Sequence, residues 1–391
     1  MNRSLFIMMS LALGLAQATA AAERRPNSLT EKETRSGWIL LFDGDSFYGW
    51  KKGSSANWKI EDGVISADEG EQGLLHTTTQ FADFELQLDF RAATTTNSGV
   101  FLRTSPKPND PAADCYELNI ASPDESKFPT GSFVGRKAGS AKNVDDDWHH
   151  YHVTAEGGRF TVVLDGQTIL SFEDEKPLGR GFIGLQLNHG KVEFRDIKLR
   201  PLGTKPLFNG KDLSGWKIYP DRASEFAVDG GALRMKSGPG QIETEGQYAD
   251  FVLQSEVFVN GKELNSGIFF RCIPGDFQMG YESQIHNGIT NGDRNQPNNC
   301  GTGGIFRRQE ARRVVADDFE WFSKTIICEG RHMAVWINGF QVSDWIDRRK
   351  PDPNPRRGQR LDKGTIILQG HDPTTDLSFR AIRIIEMAKR R

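Results

Sequence analysis

Apolar and polar residues alternate with a period of two along much of the chain. Phe84-Glu85-Leu86-Gln87-Leu88-Asp89-Phe90 alternates strictly, and Phe160 to Leu164 does so in part. This period puts successive side chains on opposite faces of an extended strand. The runs are short and are separated by turns rich in Gly, Asn and Asp. The pattern predicts an all-β protein, a sandwich or jelly roll. Helical periodicity is nearly absent, and Ser28 to Trp38 reads as one short helix or a polar lead-in. Pro351, Pro353 and Pro355 exclude a central strand from the stretch 351–359, which reads with its arginines as a solvated loop.

The pattern is written twice. Leu41-Phe42-Asp43-Gly44 leading to Gly49-Trp50-Lys51 returns as Leu207-Phe208-Asn209-Gly210 leading to Gly215-Trp216-Lys217. Ala82-Asp83-Phe84 returns as Ala249-Asp250-Phe251, and Asn97-Ser98-Gly99 as Asn265-Ser266-Gly267. Tyr116-Glu117 matches Tyr281-Glu282, and Trp148 matches Trp321. Asp165-Gly166 and Asn338-Gly339 predict tight type I′ hairpins, because both dipeptides tolerate positive φ. Each copy ends on Leu-Gln, a His and Phe-Arg: Leu185-Gln186, His189 and Phe194-Arg195, then Leu368-Gln369, His371 and Phe379-Arg380. A repeat this long is a duplicated domain. The expected organisation is a leader at 1–22, a lead-in at 23–37, and domains at 38–202 and 203–391.

The leader has Arg3, an apolar stretch from Leu5 to Leu15 and small residues at Ala18-Thr19-Ala20, with Ala20-Ala21-Ala22 as an alternative cleavage site. The apolar stretch is shorter than the roughly 20 residues of a membrane span, so it reads as a secretory signal and predicts export to the periplasm or beyond. No later stretch is long and apolar enough to span a membrane. The net charge of -3 argues against a nucleic-acid partner. The 8 Trp and 25 Phe suit sandwich cores and sugar stacking. Cys115, Cys272, Cys300 and Cys328 match no zinc or redox spacing. Free buried thiols are the favoured reading, and Cys272 with Cys300 is the one pairing considered.

The ordered motifs resemble the 3-keto-disaccharide hydrolase family: Leu-Phe-Asn-Gly…Gly-Trp, Asn-Ser-Gly-Ile…Arg, Tyr-Glu-x-Gln-Ile and Leu-Gln-x-His…Phe-Arg. The resemblance spans nearly the whole mature chain, once per copy. It implies two tandem concanavalin A-like jelly-roll β-sandwich domains, acting on a sugar whose C3 hydroxyl is oxidised to a ketone.

Alternation identifies a polar row. In the strand at 281–286, Tyr281, Ser283 and Ile285 suit a core, while Glu282, Gln284 and His286 form a row on the other face. The first copy has Glu117, Asn119 and Ala121 there. By repeat position, Glu256 aligns with Asp89, Arg271 with Arg103 and His371 with His189, and all are expected on one concave face. A C3 ketone acidifies the C2 proton, which a carboxylate or imidazole removes. The enediolate needs a donor or cation beside its oxygen. Glu282 or His286 is assigned as base, Arg271 as oxyanion stabiliser and His371 as acid or ligand. Arg307 and Arg308, on the long insertion 287–313, are assigned to substrate binding. A divalent metal held by His286, Glu282 and His371 is an alternative to Arg271. The second copy is favoured as the catalytic unit. A non-catalytic sugar-binding protein and a glycosidase with two carboxylates are the competing readings.

Overall fold

The computed structural model describes residues 25–140 and 145–387, so the leader expected at 1–22 lies outside the described residues. The protein is all-β, two tandem jelly-roll sandwiches of the concanavalin A-like kind. Each pairs an eight-stranded sheet with a five-stranded one, and strand order is the same in both. The five-stranded sheet of the first copy runs Trp50–Lys52, Gly73–Thr77, Phe182–Leu187, Asn97–Thr104, Tyr116–Ala121. Its counterpart runs Trp216–Ile218, Gly240–Thr244, Thr365–Gly370, Ser266–Cys272, Tyr281–Ile285. Burial along Phe84–Ala92 alternates without exception. Phe84, Leu86, Leu88 and Phe90 meet Val100, Leu102, Leu118 and Leu185 in one core. Both predicted hairpins form, with φ of 49° and 79° at Asp165-Gly166 and 50° and 77° at Asn338-Gly339. The lead-in contains a helix, Glu31–Arg35, started by a Thr30/Glu33 capping box.

The repeated motifs turn out to be fastenings. Trp50 Nε1 donates to Leu41 O at 2.5 Å and Trp216 Nε1 to Leu207 O at 3.1 Å, tying Gly-Trp to the opening Leu-Phe. The serine of Asn-Ser-Gly donates to the neighbouring strand, Ser98 to Gln186 O and Ser266 to Gln369 O, both at 2.7 Å. Arg195 lies 3.9 Å from the Trp148 ring centroid, and Arg380 is 3.9 Å from that of Trp321, which joins the Phe-Arg ending to the strand-opening Trp. The four cysteines are free and buried, so Cys272 and Cys300 are not paired.

The copies pack together. Val252, Ile327, Ala334 and Trp336 of the second copy belong to the first copy's apolar core. Trp336 Nε1 donates to Leu40 O at 2.9 Å. Arg312 pairs with Asp43 at 2.8 Å and lies between the rings of Tyr48 and Phe340.

Candidate functional site

The outer face of the first five-stranded sheet holds an open cleft of about 550 Å³. Its floor combines Leu74 and Phe101 with Glu117, Asn119 and Gln186, and Lys107, Asn97 and Asn188 stand around it. Strand register explains the floor: Glu117 pairs with Phe101 and Asn119 with Gly99. Gly99 leaves room for the acid, since a Cβ there would sit 3.4 Å from Glu117 Cγ and 3.1 Å from Leu118 O. Burial raises the Glu117 carboxyl to about 7, against a lowering hydrogen bond from Gln186. Asn119 Nδ2 donates to Phe128 O. Asn119 Oδ1 and Gln186 Oε1 are buried without a protein partner. Two orphan acceptors beside a carboxyl near neutrality suit a polyhydroxylated ligand.

The second copy's equivalent face is filled by its own loop 273–280. Gln278 N donates to Gln241 Oε1 at 2.7 Å, and Gln369 Nε2 to Gln278 Oε1 at 3.0 Å. Glu243 accepts from Gly275 N at 3.2 Å, from Thr365 Oγ1 at 2.5 Å and from Tyr219 OH. Register places Leu74 and His76 of the first copy where the second has Gln241 and Glu243. Leucine offers no such anchor, and the first copy's loop is held outward instead. There Arg136 donates to Cys115 O at 3.0 Å and Pro111 O at 3.3 Å. What stays open above Glu282 is a crevice of about 40 Å³.

The expected residues therefore divide. Glu282 and Gln284 share the outer face with Gln369, while Tyr281 and Ile285 enter the core. Burial raises Glu282 to about 7, opposed by Arg356, Lys324 and Arg307. Lys324, fully buried, donates to Gln284 O at 2.7 Å from beneath the sheet. Tyr151 does the same for Asn119 O at 2.9 Å in the first copy. Gln284 reaches Asn265 at 2.9 Å, and Asn265 reaches His371 Nε2 at 3.1 Å. His371 Nδ1 then bonds Asp372 at 2.8 Å. His286 Nδ1 accepts from Gly288 N at 3.2 Å, and burial lowers its pKa. His189 pairs with Glu125 at 3.0 Å on the first copy's rim.

Four expectations need correction. Arg271 is wholly buried and bonds Ala249 O, Gly330 O, Arg360 O and Asp250 at 2.7–3.1 Å. Arg103 makes the same set with Ala82 O, Gly157 O, Leu178 O and Asp83. These guanidinium groups hold the Ala-Asp-Phe motif and, wholly buried, present no donor to a substrate oxyanion. Glu256 and Asp89 lie on the eight-stranded sheets, away from the row: Glu256 pairs with Arg380 at 2.5 Å, and Asp89 with His150 at 2.7 Å. Among the described residues no group of three His, Cys, Asp or Glu side chains is arranged to hold a metal ion, so His286, Glu282 and His371 do not form a ligand set. Finally, the open cleft belongs to the first copy, because only there does the loop stay clear of the floor. Gln186 joins the floor from the repeated Leu-Gln motif, whose repetition alone does not distinguish a site residue from a structural one. Asn97 likewise stands in the repeated Asn-Ser-Gly motif, whereas Lys107, Gln241, Glu243 and Gln278 carried no local signal.

A family model of the 3-keto-alpha-glucoside-1,2-lyase-like domain matches residues 37–200 and again 203–385. A 3-keto-disaccharide hydrolase of Bacteroides thetaiotaomicron is 27% identical over 254 residues, 49% of this chain and 87% of that protein. A solved structure of a candidate glycosyl hydrolase from Parabacteroides distasonis is 24% identical, covers 46% of this chain and 100% of that one, and has a TM-score of 0.41. A carbohydrate-binding module from Bacillus subtilis is 16% identical, covering 39% of this chain and 95% of its own, with a TM-score of 0.32.

Proposed function

The chain belongs to the 3-keto-alpha-glucoside-1,2-lyase-like domain family, which it carries twice, and on that footing we propose that it is an exported, carbohydrate-active enzyme that cleaves 3-keto-glycosides in the cleft of its first copy. The carrying observation is Glu117, a buried carboxyl raised to about 7 on the floor of the open cleft. The family and the hydrolase name of the Bacteroides relative support a hydrolase-like reaction on sugars. The leader motif at 1–22 supports export.

The residues of the cleft suit the following sequence. Glu117, ionised, takes the C2 proton of the 3-keto sugar. The electron pair left on C2 delocalises onto the C3 oxygen as an enediolate. Lys107 and the amides of Asn97 and Asn188 are the donors the cleft offers that oxygen. The C1–O bond then breaks, the electron pair returns to form a C1–C2 double bond, and protonated Glu117 returns its proton to the leaving oxygen. Water added across the double bond gives net hydrolysis. Asn119 Oδ1 and Gln186 Oε1 accept hydrogen bonds from sugar hydroxyls and orient the ring.

Product release from a 3-keto-glucoside and from its unoxidised parent tests this with wild type, Glu117→Gln and Glu282→Gln. The expected result is turnover of the keto sugar alone, reduced about 10²–10⁴-fold in Glu117→Gln. Loss confined to Glu282→Gln would move the chemistry to the second copy. Cleavage of the unoxidised parent would replace the mechanism.

A further inference from the structure

We propose that the second copy carries a separate saccharide subsite for anions, in which Arg307, Arg308 and Arg356, standing over Glu282, take the carboxylate or sulfate group of an acidic sugar. The three arginines and Glu282 line the same crevice of about 40 Å³. Arg307 and Arg308 also line a shallower cavity of about 330 Å³ with Phe306 and Gln309.

Carboxylates stand near this wall, Glu310 in the shallower cavity and Asp347 within the field of Arg308, but none is in ion-pair contact with the three arginines among the described residues. Arg307 stacks on Phe306 at 5.3 Å. Among the described residues Arg308 donates only to carbonyls, Arg307 O at 3.2 Å and Arg356 O at 2.8 Å. Arg356 donates to Gln278 O at 3.0 Å and lies over Phe269. Burial, then Arg349, lowers the pKa of Arg308, against the raising influence of Asp347 and Tyr281, and Arg307 adds to the lowering. Guanidinium groups that converge in this way repel one another. An oxyanion relieves the repulsion and fits their paired N–H groups.

Comparison of the copies supports a built feature. At the repeat position of Arg308 the first copy has Arg136, paired with Asp174 at 3.1 Å, and Tyr116 donates to the same carboxylate at 2.7 Å. In the second copy Tyr281 still donates to the matching acid, Asp347, at 2.8 Å. Arg349 now occupies that acid through bonds of 2.9 and 2.8 Å. Arg308 is thereby released, while Arg307 stands where the first copy has Gly135 and Arg356 arrives on the proline-rich loop.

Glu282 makes the subsite pH-sensitive. It faces Arg356, Lys324 and Arg307, and the thiols of Cys272 and Cys300 lie within its field. Burial, the largest influence, raises its carboxyl to about 7. Below that pH it is neutral and donates to an anion. Above it, the carboxylate repels one. That the anion rides on a sugar rests on the saccharide reading of the first-copy cleft, whose Glu117 has the repeat position of Glu282.

Calorimetric titration of the full chain tests the subsite with methyl glucuronide, a glucose sulfate monoester, methyl glucoside and inorganic sulfate. The expected result is binding of both acidic sugars but not the neutral one, weakened about tenfold or more in Arg307→Gln/Arg356→Gln, whose charge-assisted bonds are lost. Both positions are exposed, so the variant keeps its fold, which an unchanged melting temperature verifies. Lys51→Gln/Lys59→Gln, with the same change of charge at exposed sites of the first copy, retains wild-type affinity. Affinity falls as pH rises through about 7, and Glu282→Gln reduces this dependence to the part contributed by Lys324, which burial lowers to about 7 as well. Failure to bind acidic sugars, binding indifferent to the arginine variant, or inorganic sulfate binding as tightly as the sugar sulfate would each overturn the proposal. Turnover of a neutral 3-keto-glucoside is a separate readout, so failure of the first-copy mechanism is distinguishable from failure of this site.

Discussion

Glu117 and Glu282 have the same repeat position, and burial raises both to about 7. The sign of the consequence for Glu117 is definite. Its folded pKa lies above the ordinary 4.5, so the folded state resists ionisation. That destabilisation is absent below about pH 4.5 and complete above about pH 7. Glu117→Gln is therefore expected to be more stable than wild type by about 2–3 kcal/mol at alkaline pH and equal to it in acid. Urea denaturation at the two extremes measures this, and a difference that does not vary with pH would contradict it. Arg271 behaves oppositely. Arg271→Ala takes the buried guanidinium from Asp250, which keeps Arg180, and from three carbonyls, of which Arg360 O alone among the described residues keeps another donor, Tyr281 OH. The expected loss is about 3–5 kcal/mol of folding stability, read by denaturant midpoint. The polar row was legible because strand alternation is local. Arg271 was not legible as a fastening, because its partners come from three distant segments.

At the level of elements, loop 273–280 separates the copies. Glu243 and Gln241 hold it over the sheet. Glu243→Ala removes the acceptor for Gly275 N, and buried polar anchors of this sort are strongly felt when lost. Faster hydrogen exchange at Gly275 and its neighbours is expected, with the strand Tyr281–Ile285 little affected. Unchanged exchange in the loop would show that Gln278 alone keeps it closed. The strands themselves were readable from period-two patterning and turn dipeptides. The loop's resting place was not, since Gln241 and Glu243 lie more than thirty residues earlier in sequence.

The whole molecule is held by an apolar seam and by a buried charge cluster beside it. Thr78 donates to Asp344 at 3.0 Å, Gln80 N to Glu329 at 3.3 Å, and Arg180 pairs with Asp250 at 2.6 Å, each from first copy to second. His332 lies within this cluster. Burial would lower its pKa, but its hydrogen bond to Asp344 and its ion pair with Glu329 at 3.6 Å prevail and raise it to about 9. A raised histidine stabilises fully below its ordinary 6.5, and the contribution is lost as pH rises through about 9. Up to about 3 kcal/mol is expected to disappear over that window, and His332→Gln should flatten the profile of melting temperature against pH. Trp336→Ala opens a cavity in the shared core. A loss of about 3–5 kcal/mol is expected, with both copies unfolding at lower temperature in calorimetry. Destabilisation of the second copy alone would show that the seam does not couple them.

The sequence by itself determined the duplication, the strands and the side of each strand that carries polar groups, because these follow from local alternation, turn chemistry and self-similarity. It also marked Glu117 and Glu282 as equivalent. Only the tertiary structure decided that the equally buried Glu117 and Glu282 border an open cleft and a narrow crevice respectively, and that Arg136 is paired while Arg308 is not. Those outcomes depend on which distant side chain reaches a loop amide or a carboxylate first, a competition across the sheet that no local pattern encodes.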